Sequence, residues 1–439
     1  MELTLVIISV FLGIFFRLYN LKKKVFWGDE AHTCLRVCGF SQEDAFLVLN
    51  NPELTIGDVQ QFQRIKTGSS YRDVVRAIIL DEPHRPPLHH LLVRSWVEIF
   101  GVSIYSLRFT SVIFSLISLP LFYIFVYQLS ASVLAAQVSL AILCLSPFQV
   151  IYAQEAREYS LWTLLLILLG ISFLAAVHNP YSLFALAGYA VSVAACCYCA
   201  FFSVAIVFGL TVLGVFSNFN ILLAGLAGFA CFIPWILITW QYRHSVDRMT
   251  SWRTAREFRL KESLLLWGLN ISVTVLDEMP GWEAVNRMLS FTVPPALLFL
   301  PIISSLPLVS QLLLLVIGLS PLFYVIIPDL FCKTVVSSVT RYFTPMFLVI
   351  PIYFGASLAN HWEQPTAKIL TILLLSLNFV SYVGFVFADT WWNKGYLGDE
   401  VIALVAEYQQ PGIVATSGIQ GNSFGVLLSA SHYLTQPVP

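Results

Sequence analysis

Apolar runs of helical length recur along the 439 residues from the N-terminus to about residue 389, separated by tight polar turns and a few long charged stretches. A helix crossing the hydrocarbon needs about 20 mostly apolar residues, whereas a run of about 10–14 is more often interfacial. On that measure the pattern predicts spans near 3–19, 105–128, 132–152, 159–178, 181–198, 199–217, 220–241, 287–303, 306–327, 342–360 and 367–389, eleven in all. The runs are continuous and do not alternate, which excludes a β-barrel and leaves an all-α polytopic membrane protein. Leu88–Phe100 is too short to cross and carries His89, His90, Arg94 and Glu98. Its apolar residues Val93, Trp96, Val97 and Phe100 fall at helical spacing, so it reads as an amphipathic helix lying at the interface. Tyr181–Phe216 is too long for one span and is divided near Cys196-Cys197-Tyr198-Cys199. The first run, Leu3 to Phe16, lacks a basic flank and a small-residue cleavage site and is read as a retained helix.

These assignments put every charged segment on one face: residues 20–104, 153–158, 242–286, 328–341 and the tail 390–439. The opposite face receives only the turns Gln128–Ala131, His178–Pro180, Ser217–Phe219, Ser304–Leu306 and His361–Pro365. If Leu88–Phe100 crossed instead, Glu155 and Arg157 would land opposite Asp29. The expected organisation is a transmembrane domain over 1–389 and a short outer tail over 390–439. The domain carries a long first outer loop (20–104) with interfacial helices and a second large outer loop (242–286). Lys22, Lys23 and Lys24 would draw the first loop toward the cytoplasm, but the positive-inside rule weakens for loops beyond about 60 residues. The polar face is placed outside the cytoplasm.

Composition agrees: 58% of residues are hydrophobic and 11% charged, and mean hydropathy is +0.78. A net charge of -1 gives no basic footprint for nucleic acid. Cys144, Cys196, Cys197, Cys199 and Cys231 lie in apolar runs and read as small core residues. Cys34 and Cys38 sit four apart near His32, and two thiols on an amphipathic helix fit better than a zinc site, which usually takes four spaced ligands.

Four polar constellations stand out against this background. Asp29-Glu30 follows the first span, and an acid near hydrocarbon is costly unless it serves a site. Asp81-Glu82-Pro83-His84-Arg85-Pro86-Pro87 precedes the interfacial helix, its prolines fixing the chain around His84 and Arg85. Tyr152-Ala-Gln-Glu155-Ala-Arg157-Glu158-Tyr159 is a polar island between two spans. Arg341-Tyr342 opens a late span, where snorkelling is the ordinary explanation for an arginine. Together they put carboxylates, arginines and a histidine on one face of a bundle. Arginine forks suit phosphate, and a carboxylate suits deprotonation of an acceptor hydroxyl or amine.

The ordered series resembles the GT-C membrane glycosyltransferases, in the protein O-mannosyltransferase and aminoarabinose-transferase branch. It comprises Trp27-Gly-Asp29-Glu30-Ala, Pro86-Pro87-Leu88 with Phe100-Gly101, Leu107-Arg108-Phe109, Ser146-Pro147-Phe148, Tyr152 through Ser160, and Arg341-Tyr342-Phe343-Thr344-Pro345. The match is dense over residues 1–160 and sparse afterwards. The resemblance implies inverting transfer of a sugar from a polyprenyl-phosphate donor lipid to a protein, lipid or glycan acceptor, at the outer face of a bacterial inner or plasma membrane. It implies catalytic roles for Asp29, as general base, with Glu30 and Glu155. Donor phosphate binding falls to Arg85, His84, Arg157 and Arg341, and acceptor or structural support to Glu158, Tyr159 and Tyr342. A divalent cation (magnesium, manganese or calcium) is an open expectation, with Asp29, Glu155 and His84 as candidate ligands. Three departures stand against it. Arg85 interrupts the His-Pro-Pro order, cysteines replace mid-chain aromatic and histidine residues, and the C-terminal outer domain is reduced. The competing reading is a flippase or transporter of lipid-linked sugars without transferase activity, although such proteins usually hold ionisable groups near the midplane.

Overall fold

The computed structural model describes residues 2–49, 55–254, 257–276, 283–297, 304, 306–387 and 422–433, and the described residues contain no strand. The chain begins with α1 (Glu2–Leu18) and then builds a cap from α2 (Gly28–Val37), α3 (Gln42–Leu49), α4 (Ile56–Gln60), α5 (Tyr71–Asp81) and α6 (Leu88–Phe100). The bundle follows: α7 (Ile104–Ser130), α8 (Val133–Leu145), α9 (Pro147–Ala153), α10 (Tyr159–His178), α11 (Leu183–Cys199), α12 (Ser203–Ser217), α13 (Phe219–Ala230) and α14 (Ile233–Gln241). It continues with α15 (Arg243–Met249), α16 (Leu260–Ser272), α17 (Glu283–Leu297), α18 (Leu308–Pro321), α19 (Ile327–Cys332), α20 (Thr344–Asn360) and α21 (Pro365–Phe387), and α22 (Asn422–Ser431) returns to the cap.

The described residues of the eleven expected apolar segments are largely helical, but eleven crossings are not what the helices give. Among the described residues six helices are long and apolar enough to cross a membrane, or seven if the bent pair α8–α9 is one span, with α1, α11 and α12 as shorter apolar helices. The bend between α8 and α9 is 58°. It sits at Ser146-Pro147, where the proline has no N–H to give and its ring crowds the preceding turn. A single π turn, Leu322–Ile326, follows Pro321 for the same reason and carries the helix on to Cys332. The division expected at the cysteine patch lies just after it, at Ala200–Phe202.

α8 packs against α1, α7 and α20 at the centre of the bundle, and α10 packs on α7 and α11. Most of the fully enclosed side chains there are apolar, among them Phe122, Phe125, Trp162, Leu313 and Phe347. Outward faces carry Phe11, Phe184, Phe208 and Phe216, as a surface solvated by lipid tails allows. A second core unites Phe26, Leu35, Phe62, Val93, Val97, Leu107, Phe424 and Leu428, so the cap, the start of α7 and α22 pack as one unit.

The bundle also buries a cation that the hydropathy pattern conceals. Arg17 is fully enclosed, donating to Ser115 Oγ, Gly13 O and Cys144 O. The stretch 242–286, expected as an outer loop, contains α15 and α16 among its described residues. The tail expected to be short holds α22, which lies against α2, while residues 412–418 (Gly-Ile-Val-Ala-Thr-Ser-Gly), whose sequence reads as strand-like, fall outside the described residues.

Candidate functional site

Helix α2 begins at Gly28, directly after the extended residue Trp27, so Asp29 and Glu30 occupy its first turn, where the helix dipole favours anions. Consecutive helical residues point about 100° apart, and the two acids part accordingly. Asp29 lines a cavity of about 1070 Å³. Glu30 turns away from it and is fully buried, its oxygens accepting from Arg108 Nε at 2.8 Å, Arg108 Nη2 at 2.7 Å and the Ala156 N–H at 2.8 Å. Arg108 also caps the carbonyls of Leu21, Lys24 and Val25, which fastens the chain between α1 and α2 to the top of α7. Glu30, grouped with the catalytic acids on sequence, is therefore walled off from the cavity.

Four arginines and four acids form an alternating chain along one side of the site. Arg36 pairs with Asp81 at 3.2 Å and Glu82 at 3.1 Å; Glu82 contacts Arg85 at 2.5 Å; Arg85 reaches Glu158 at 3.0 Å. Glu158 pairs with Arg157 at 3.2 Å, Arg157 lies 3.8 Å from Asp29, and Arg341 closes the series on Asp29 at 3.1 Å. Of these, Asp29, Glu82, Arg85, Glu158 and Arg341 line the cavity. Although burial opposes its charge, Glu82 is held well below the usual carboxylate range by Arg36 and Arg85. Glu158 is likewise held down by Arg85 against the effect of burial. Arg85 keeps its charge against burial because Glu82 and Glu158 flank it.

The local sequence explains how each group arrives. Pro86 and Pro87 end the loop and open α6, fixing Arg85, while Thr239 Oγ1 donates to the Pro83 carbonyl at 2.9 Å. The turn that precedes Arg341 is built on Asp329, a buried acid that the sequence reading passed over. Its oxygens take the Thr334 hydroxyl, the Val336 N–H at 2.8 Å and the Ser337 N–H at 2.9 Å. That knot shapes the turn after Lys333, whose φ of 55° is left-handed, and Arg341 then sits over the Trp27 ring at 5.4 Å.

Glu155 and Arg157 stand behind the wall. Glu155 is fully buried and accepts from the Trp27 indole N–H at 3.2 Å. Arg157, only 1% exposed, donates to Asp29 O at 3.1 Å. Neither lines the cavity, whereas Glu158, Tyr159 and Tyr342 do. His84 lines it too, its imidazole pushed down to about 4 by burial and by Arg85 despite Glu82. The metal candidates Asp29, Glu155 and His84 do not converge, and among the described residues no group of three or more His, Cys, Asp or Glu is arranged to hold a metal ion.

Besides Asp329, other contributors escaped the sequence reading, the cavity-lining Arg253 among them. Arg108 carried a signal, as a cation within a predicted span. His89 and His90 were placed on the interfacial helix but not in a site, and both line the cavity. Helix α22 supplies Gly425, Val426 and Ser429 to the wall and carried no signal. From the cavity, apolar walls run through Trp162, Phe201, Phe202 and Tyr324. A separate groove of about 560 Å³ starts at Pro87 and Leu88 and passes Ala190, Ala194, Ala195, Ala227 and Gly228.

No family model matches the sequence, and a search of curated proteins gives no match. Solved structures do match. ArnT from Cupriavidus metallidurans bound to undecaprenyl phosphate superposes with a TM-score of 0.55 at 12% identity, over 98% of this chain and 76% of that one. The apo state of the same protein gives a TM-score of 0.52 at 11% identity with the same coverage. The chain is an integral membrane protein with the fold of the GT-C membrane glycosyltransferases.

Proposed function

We propose that this chain is a glycosyltransferase that moves a sugar from a polyprenyl-phosphate donor to an acceptor hydroxyl or amine at the extracytoplasmic membrane face, with inversion at the anomeric carbon. One observation carries the reading: Asp29 and the guanidiniums of Arg85 and Arg341 line a single cavity. Its fold neighbour was solved with undecaprenyl phosphate, and the small-residue groove beginning at Pro87 is the right chemistry for an isoprenoid tail.

In the proposed step the acceptor O–H or N–H gives its proton to the Asp29 carboxylate as the oxygen or nitrogen bonds to the anomeric carbon. The bond from that carbon to the phosphate oxygen breaks, and its electron pair leaves on the polyprenyl phosphate. Arg85 and Arg341 neutralise the departing oxygen; cations already in place at the developing charge are usually a large catalytic contribution. Glu30 and Glu155 act as positioning residues, holding α2 and Trp27. Arg157 keeps Asp29 in place through its main-chain oxygen, and Glu158 orients Arg85. The step draws on the chain's own cations, Arg85 and Arg341.

The test is to incubate the purified protein with polyprenyl-phosphate sugars and candidate acceptors, and to read sugar-lipid consumption by mass spectrometry. Wild type is expected to release polyprenyl phosphate, and Asp29→Asn to bind the lipid without turnover. An Asp29→Asn protein with full activity would overturn the assignment of the base.

A further inference from the structure

The first turn of α6 places His89 and His90 in the cavity wall, 1% and 3% exposed. Their four ring nitrogens are all buried and make no hydrogen bond with the protein. Buried polar atoms are ordinarily satisfied, and a pair of imidazoles in a cavity wall with no protein partner calls for one from outside the protein. The rings lie 5.6 Å apart and nearly perpendicular, at 83° to one another. Burial pushes them down, His89 to about 4 and His90 to about 3. They are therefore neutral at ordinary pH.

A neutral imidazole presents one N–H and one lone pair. A hydroxyl is the matching partner, since it also donates and accepts. A phosphate offers only acceptors and an ammonium only donors, so either would leave half of each imidazole unused. The cavity's guanidiniums, Arg85, Arg253 and Arg341, are the groups suited to the phosphate, which leaves the two imidazoles for the sugar.

Resting on the transferase reading above, we propose that His89 and His90 form the donor-sugar subsite, and that the sugar it takes is neutral and polyhydroxylated. A hydrogen-bonding site of this kind selects against analogues that leave its polar atoms unpaired.

The experiment measures binding of bare undecaprenyl phosphate and of the same lipid carrying glucose, galactose, mannose or an amino sugar, using full-length protein in detergent. Wild type is expected to bind at least one neutral sugar lipid about tenfold or more tighter than the bare lipid. His89→Phe and His90→Phe, which keep a planar ring without its nitrogens, should lose that increment and retain bare-lipid binding. His90→Gln, which restores a donor and an acceptor, should recover part of it. If a phenylalanine disturbs folding, seen as a lowered melting temperature, His89→Ala and His90→Ala make the same comparison. The subsite is overturned if the variants keep the full increment, if they weaken bare and sugar-bearing lipids equally while still folded, or if the amino sugar is preferred; each leaves the transferase reading standing. A wild-type protein that binds no lipid of the series overturns the transferase reading and the subsite with it.

Discussion

Arg341 donates to the Asp29 carboxylate over 3.1 Å although 312 residues separate them. The carboxylate thus rests against the cation that is proposed to receive the donor phosphate. Phosphate arrival would draw Arg341 away and uncover the base, which couples donor binding to acceptor activation. Arg341→Ala should lower kcat/KM by about 100-fold or more, the usual scale for removing one preplaced charge from a developing oxyanion. Arg341→Lys should recover only part, because an ammonium lacks the planar fork. Transfer rates and lipid affinity measured on the same preparations check this. Equal activity in all three proteins would remove Arg341 from the mechanism.

Glu30 and Arg108 form the buried joint under the site. Removing one partner of such a pair strands a charge away from water, at a cost of about 3–5 kcal/mol. Glu30→Gln and Arg108→Met should each lower the melting temperature in detergent, and the double variant should fall by less than the sum of the two. Activity in Glu30→Gln should track the folded fraction. A variant that melts like wild type but turns over slowly would return Glu30 to the catalytic group.

The sequence pattern located the long apolar helices because apolar length is a local property, and Pro86-Pro87 and Ser146-Pro147 declared their own turns, whereas the short helices of the outer segments, such as α5, α15 and α16, carried no such signal. It also named Asp29, Arg85, Glu158 and Arg341, which the fold brings to one cavity. Proximity along the chain could not divide adjacent acids by face. Glu155 and Glu158 differ by less than one helical turn in sequence, yet the first faces Trp27 and the second Arg85. Asp329 and α22 were illegible for a different reason: their partners lie in the turn 334–337 and in α2, and no local spacing encodes those contacts.

His89 and His90 set an acid limit. Both are held neutral by burial, at about 4 and about 3, whereas an unfolded histidine titrates near 6.5. Below that value the unfolded chain binds more protons than the native one, so stability falls as pH falls. Their contribution should be complete above about pH 6.5 and decline progressively as pH drops toward 4. Melting temperature measured from pH 8 to pH 4 should show the decline, and a His89→Gln, His90→Gln protein should show a shallower one. An unchanged slope in that protein would place the titration elsewhere.

Gly425 of α22 meets Gly28, the residue before Asp29. A Cβ added at Gly425 would come 3.2 Å from Gly28 Cα and 3.2 Å from His32 Nε2. One of these neighbours is backbone and cannot swing aside, so a larger residue must push α22 and the start of α2 apart. The Ser429 hydroxyl bonds Phe26 O, and Phe26 N–H donates to the Tyr433 hydroxyl at 2.7 Å. The displacement is therefore resisted on both sides and is transmitted to Asp29. Misplacing a reacting group by about 1 Å can cost on the order of 100-fold in rate. Gly425→Val should accordingly cut kcat by about 10- to 100-fold while leaving undecaprenyl phosphate affinity near wild type, since Arg85 and Arg341 are held by other elements. Gly425→Ala should fall between the two. Single-turnover rates with pre-bound donor separate this from a binding defect; a valine variant with normal kcat would show that α22 covers the cavity without positioning its base.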